Sequence, residues 1–198
     1  MTLVLTTAPT TEPVTNTELK DHLRLDQTTF AEQQSLLDNL IKVARAWVED
    51  VTNRQLLQGT WTLYLDEFPG SADTPIRLIK VPVVSVTSVK YLDTDGTQQT
   101  WAASKYRVDK ESEPGRIYPA YGEVWPTARD ISNAVEVAFV AGYASAGAVP
   151  QGIKHAILML AAHLYEHPEA TVPGAGALTR VPLGVESFVW QYRSLEAV

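Results

Sequence analysis

The sequence predicts an α+β fold, a helical bundle formed by N- and C-terminal helices with a central small antiparallel β-sheet module. Three observations carry this. Leu37, Leu40, Ile41, Ala44, Val48 and Val51 recur at helical spacing. From Gly59 to about Tyr143 the apolar period changes to two, with a hairpin signal at Asp95-Gly96. From Gln151 to His167 the chain is apolar on nearly all sides of a helix.

Taken in order, residues 1–14 read as an extended Thr/Pro-rich arm and 15–58 as the helical part. Residues 59–147 read as the β module. Residues 148–198 supply helices that complete the bundle, interrupted by a Pro/Gly/Ala loop over 168–182. Thr15 and Glu18 form a capping-box pair, with Val14 and Leu19 at the staple positions, for a short helix ending near Leu25. Thr29 with Glu32 has the same pattern and predicts a main helix from about Phe30 to Leu57, with Lys42, Arg45, Glu49 and Arg54 on its polar side.

The β module begins with Trp61, Leu63 and Leu65 alternating with Thr62, Tyr64 and Asp66. Val84, Val86, Val89 and Tyr91 continue it, and five or six strands are expected. Asp95-Gly96 suits a type I′ turn, whose two central residues both need positive φ. Residues 110–133 read as a long connection rich in proline and glycine, and Ala134 to Tyr143 as a strand. Beyond Val149-Pro150, Ile153, Ile157, Leu160, Ala161 and Leu164 centre the buried face of the apolar helix, which Pro168 must end. A last helix is predicted over about Val185 to Leu195, its stripe being Val185, Phe188, Val189 and Tyr192. Trp190 is directed nearly opposite that stripe.

Composition narrows the function classes. In 198 residues there are 45% hydrophobic side chains, enough for a substantial core. The net charge of −7 and the absence of any Lys/Arg run argue against gripping a phosphate backbone. With no cysteine there is neither a disulfide nor a thiolate metal site. The opening residues carry no basic, apolar leader pattern, and the apolar run from Ala156 to Ala162 is too short to span a bilayer, so a soluble protein made in a cytoplasm is expected.

Signals of catalysis are few. His163-Leu164-Tyr165-Glu166-His167 matches the H-x-x-E-H pattern in which two histidines hold zinc and the glutamate polarises a water. Pro168 puts His167 in the last turn of its helix, no third ligand stands out, and the dipole at a helix C-terminus already accounts for a histidine there. No phosphate loop or nucleophile elbow is present, and the expectation is no enzyme, no cofactor and no metal. The aromatics Tyr118, Tyr121 and Trp125, crowded into a Pro/Gly-rich loop, and the off-stripe Trp190 either cover a core edge or anchor an interface.

Several of these segments, in this order, carry a resemblance. They are Pro13-Val14-Thr15, Leu19 through Leu25, Ala44-Arg45-Ala46-Trp47-Val48-Glu49, Thr52-Asn53-Arg54 and Thr60-Trp61. Pro82, Ser85 through Val89, Tyr106-Arg107-Val108-Asp109 and the stretch from Pro114 to Tyr143 follow. Pro150, Ile153 through Ile157, Pro182 through Glu186 and Tyr192-Arg193 complete the set. Over residues 13 to 193 the chain resembles the head–tail connector (adaptor) proteins of tailed bacteriophages. Asn53 stands where relatives often carry glycine, and asparagine also tolerates the left-handed conformation.

The resemblance implies a non-enzymatic virion protein, assembled in the host cytoplasm, that forms a ring in the neck, typically twelve-fold. Its partners would be the portal protein above, a stopper or tail-completion protein below, and further copies of itself. DNA would pass through without specific binding, and no membrane is involved. It implies a portal-facing C-terminal segment, hence Phe188, Trp190, Tyr192 and Arg193 as candidate portal contacts. Tyr118, Tyr121, Trp125, Asp95 and Gly96 are candidate contacts between subunits. A stopper or tail-completion protein of the same neck region is the alternative, and a zinc metallopeptidase a more distant one.

Overall fold

The computed structural model describes residues 1–167 and 183–194. The fold is α+β, with four helices, a five-stranded sheet and a three-stranded sheet among the described residues. The chain divides into two compact units. One comprises residues 1–9 and 58–143 with Ser194, and the other residues 10–57, 144–167 and 183–193.

The helical unit starts with α1 (Asn16–Leu23). Its predicted capping box is present: the Thr15 hydroxyl accepts from the Glu18 N–H at 3.1 Å, and the Glu18 carboxylate accepts from the Thr15 N–H at 2.7 Å. Val14 and Leu19 are fully buried beside it. The long helix α2 spans Gln27–Thr52 and is capped by Asp26, not by the Thr29/Glu32 pair. A carboxylate is the stronger acceptor at the positive end of a helix. Asp26 accepts from the N–H groups of Thr28 and Thr29 and from the Thr29 hydroxyl, which draws Thr29 into the first turn.

The same helix ends five residues before the expected Leu57. Asn53 adopts the left-handed conformation, φ 56°. The chain then folds back so that Glu49 accepts from the N–H of Leu56 at 2.9 Å and from the Gln55 amide at 2.9 Å. Glu49, expected on the polar side, is therefore buried. Arg45 bridges it to Glu12 at 2.5 and 2.7 Å.

Helix α3 (Gln151–Glu166) buries Ile153, Ala156, Ile157, Leu160 and Ala161. Lys154 of α3 pairs with Glu18 at 2.9 Å, and the Tyr165 hydroxyl donates to Gln33 of α2 at 2.7 Å. Helix α4 (Leu183–Trp190) buries Val185 and Val189 and stops at Trp190 rather than Leu195. The predicted loop over 168–182 lies outside the described residues.

In the β unit, β1 (Thr2–Thr7), β2 (Gly59–Leu65), β8 (Val135–Ala141), β4 (Val83–Leu92) and β5 (Gln98–Trp101) form one antiparallel sheet in that spatial order. The supposed arm is thus an edge strand, with Leu3 opposite Leu63 and Val4 opposite Thr62. The second sheet has the order β3 (Ile76–Leu78), β7 (Gly115–Pro119), β6 (Tyr106–Asp109). Strand β7 comes from the stretch read as a connection. Its five residues carry a glycine and a terminal proline, which mask the strand period in sequence.

Both sheets contribute to one core. Leu63, Val89, Val137 and Phe139 of the larger sheet meet Ile76, Leu78 and Ile117 of the smaller. The β4–β5 turn also differs from expectation. Gly96 (φ 87°) has positive φ and Asp95 does not, and the Asp93 N–H donates to the Thr97 carbonyl at 3.0 Å. This is a three-residue loop closed by a left-handed glycine, and Asp93 stabilises it by accepting from the N–H groups of Asp95 and Thr97.

Candidate assembly surfaces

The four residues singled out at the C-terminal end divide into two roles. Trp190 leaves α4 on its outer side as expected, 64% exposed, and Phe188, predicted on the inward stripe, is 36% exposed because Val185 and Val189 take that stripe. The Arg193 guanidinium lies over the Trp190 ring at 5.4 Å, and His155 meets the Phe188 ring edge-on at 5.2 Å. These contacts fix two aromatic faces and a cation on one surface, a set suited to gripping a partner. Tyr192 does different work. Its carbonyl accepts from Arg54 Nε at 2.6 Å and its ring packs on Gly152, where an added Cβ would lie 2.9 Å from the phenol oxygen. Tyr192 holds the turn after α4 against α2 and α3.

The loop aromatics divide in the same way. Tyr121 is fully exposed at a turn whose next residue, Gly122, has φ 79°. Tyr118 is half-buried beneath the Arg107 guanidinium at 5.5 Å. Of the two roles open to Trp125, core edge or interface anchor, its contacts are those of a core-edge residue. It stacks on Phe68 with centroids 5.4 Å apart, lies 5.2 Å from Trp101, and donates from Nε1 to the Ser71 carbonyl at 3.0 Å. Packed at this edge, the half-buried ring keeps its one N–H bonded. Phe68 and Trp101 sit far from Trp125 in the chain, so this aromatic cluster was invisible to local pattern.

The Asp95-Gly96 turn is adjacent to the same loop. Arg129 donates its N–H to the Leu92 carbonyl at 2.9 Å, and its guanidinium occupies the space a side chain at Gly96 would need. Arg129 thus ties the Asp95-Gly96 turn to the end of the connection that carries Tyr118, Tyr121 and Trp125. Two pairs of apolar residues escaped the sequence reading. Leu36 and Val43 of α2 are solvent-exposed beside half-buried Leu40 and Trp47. Val4 and Leu5 of β1 are exposed too, at 45% and 39%.

The H-x-x-E-H segment forms the end of α3, where the His163 and His167 rings stack with centroids 4.8 Å apart. His163 and Glu166 share a shallow cavity of about 420 Å³ with His22 and Arg24, whose cation disfavours a second one nearby. Among the described residues no group of three His, Asp or Glu side chains is placed to hold a metal ion. Nor, among them, is any helix long and apolar enough to cross a membrane.

No protein-family model and no curated protein matches the chain. Solved structures do. The chain is similar over its whole length, and over 98% of the other chain, to a component of the neck of an empty gene transfer agent (GTA) particle computed with C6 symmetry, with 25% identity and a TM-score of 0.79. A chain of the virion of a native GTA particle matches with 26% identity, a TM-score of 0.78 and the same coverage. A chain in the neck of a native GTA particle computed with C12 symmetry shares the fold, with 24% identity and a TM-score of 0.70.

Proposed function

We propose that this chain is a structural subunit of a virion neck and, within the neck, the head–tail connector that forms a ring beneath the portal. The observation that carries the reading is its end-to-end similarity to chains of GTA neck and virion particles, at 25 and 26% identity with nearly complete coverage of both partners. Similarity across both units, rather than over one module, favours a shared role in assembly as well as a shared fold.

In this reading the protein is no enzyme and works by shape and surface. The exposed pair Phe188 and Trp190, with Arg193, docks on the portal, while Tyr192 holds the docking turn in place. Tyr121 and the loop around Asp95 and Gly96 meet a neighbouring subunit, and Tyr118 and Trp125 support that loop. The ring, taken as twelve-fold, lengthens the DNA channel and offers its lower surface to a stopper or tail-completion protein. A net charge of −7 suits a channel through which DNA slides unheld.

The test is multi-angle light scattering on the purified chain, alone and mixed with the portal of the same virus. A ring-sized species in either condition is expected. A chain that stays monomeric with portal but is captured by the tail tube would move the role one layer down the neck, to the stopper position.

A further inference from the structure

The β unit has four edge strands, and their chemistry is unequal. In the smaller sheet β3 is three residues long and includes Arg77, while β6 includes Arg107 and Asp109. Charge and shortness are the ordinary means by which a sheet edge is kept from pairing with another chain. The larger sheet's two edges carry no charge, and its edge strand β1 is not short. Edge strand β1, Thr-Leu-Val-Leu-Thr-Thr, has six residues and no charge or proline, and edge strand β5, Gln-Gln-Thr-Trp, has no charge or proline either. The register shift in β1 falls between Leu5 and Thr7, so Thr2 to Leu5 keep a regular ladder. No backbone hydrogen bond among the described residues occupies the outer edge of either strand.

The two open edges also match in direction. Four antiparallel steps separate β1 from β5, so the two strands run the same way. A second copy shifted sideways in the plane of the sheet would set its β5 parallel to β1 of the first. Such a contact uses different surfaces on the two partners and repeats head to tail, the requirement for a ring or an open filament.

We propose that the chain assembles by adding strands edge to edge, β1 of one copy pairing in parallel with β5 of the next. The larger sheet then becomes continuous around the assembly. This rests on the ring reading above and names the surfaces that close the ring.

Engineered disulfides test it cleanly, because the chain has no cysteine of its own. Val4, and on β5 Gln98 and Thr100, lie on the sheet face opposite Leu3, Val89 and Trp101, and all three are exposed. Val4→Cys is combined with Gln98→Cys or with Thr100→Cys, to cover two registers. Each variant is concentrated and oxidised, alone and with the portal of the same virus, and run on a denaturing non-reducing gel. The expected result is a ladder extending past dimer for a double variant, and no ladder past dimer for any single variant.

A second variant, Val4→Lys, is expected to abolish the assembled species while leaving the thermal midpoint of the monomer unchanged. Rings seen by light scattering with neither disulfide ladder would overturn the strand pairing and leave the ring reading intact. Complete dimerisation of Val4→Cys alone would overturn it in favour of a β1–β1 pair. No assembly in either condition would overturn both.

Discussion

Removing the Glu49 carboxylate should cost more stability than removing any other single charge in the helical unit. The carboxylate serves three donors at once: Arg45 at 2.5 Å through one oxygen, and the Gln55 amide and Leu56 N–H at 2.9 Å through the other. Leu56 and Gln55 are both buried, so water cannot replace the lost acceptor without opening the turn after α2. A buried N–H left without its acceptor costs about 1–3 kcal/mol, and a buried ion pair deprived of one partner about 3–5 kcal/mol. Arg45 keeps Glu12 and is only half-buried, which places Glu49→Ala near the low end of the second range, about 3 kcal/mol. Glu49→Gln retains an acceptor for Leu56 and loses the charge facing Arg45, for about 1–2 kcal/mol. Glu12→Ala removes a more exposed partner and should cost under about 1 kcal/mol. Urea denaturation followed by helical circular dichroism reads all three. At a slope of about 2 kcal/mol per molar urea the Glu49→Ala midpoint falls by about 1.5 M. If Glu49→Ala and Glu12→Ala shift the midpoint equally, the turn does not depend on Glu49 and the reasoning fails.

Three further outcomes are expected. Asp26→Ala should destabilise the helical unit by about 1 kcal/mol, and Thr29→Ala by clearly less, because Asp26 caps α2; equal urea midpoints for the two would restore the Thr29/Glu32 cap. Burial works to raise the Glu18 carboxyl, but hydrogen bonds from Lys154, the Thr15 N–H and the Thr15 hydroxyl outweigh it and hold Glu18 below the ordinary glutamate range. A depressed carboxyl stabilises the fold above its unfolded pKa of about 4.3 and loses that contribution as pH falls through the folded value, so a melting series from pH 6 to pH 3 should fall less steeply for Glu18→Gln than for the native chain. Trp190→Ala should leave the melting temperature unchanged, since the ring is 64% exposed, and abolish portal capture in a pull-down.

What could be read in the sequence was local. The Thr15/Glu18 box, the α2 stripe and the buried face of α3 each depend on residues three or four positions apart, and each stands in the structure except that Leu40, Val51 and Leu164 are only half-buried. The misreadings occur where a distant partner or a competing local group decides. Asp26 displaces Thr29 as cap because its carboxylate holds the Thr28 and Thr29 N–H groups and so starts the helix before Thr29. Glu49 looks like a surface charge by helical phase, and only the chain folding back at Asn53 turns it inward. The segment over residues 2–7 has strand-like residues but is too short and too rich in threonine to declare a partner. Its pairing with β2, nearly sixty residues on, is a tertiary fact.

The candidate surfaces follow the same division, and this bears on how an assembly protein can be read at all. Helical phase alone placed Trp190 outside its stripe, since the buried neighbours that define the stripe, Val185 and Val189, lie within five residues of it. Trp125 belonged to a similar cluster of loop aromatics, yet Phe68 and Trp101 enclose it. Phase also put Phe188 on the stripe, where it is 36% exposed, so it assigns the side opposite a stripe better than the stripe's flank, whereas an aromatic on a loop takes its role from whichever elements the topology brings beneath it. Candidate interface aromatics on loops are thus less legible than one placed opposite a helix stripe. The surface proposed for ring closure belongs to neither. It is made of backbone, and its only trace in the sequence is an omission: two edge strands that carry no charge in a unit whose other two edges do. That omission becomes informative once the sheet order shows which strands are edges, and so it had to be found in the structure.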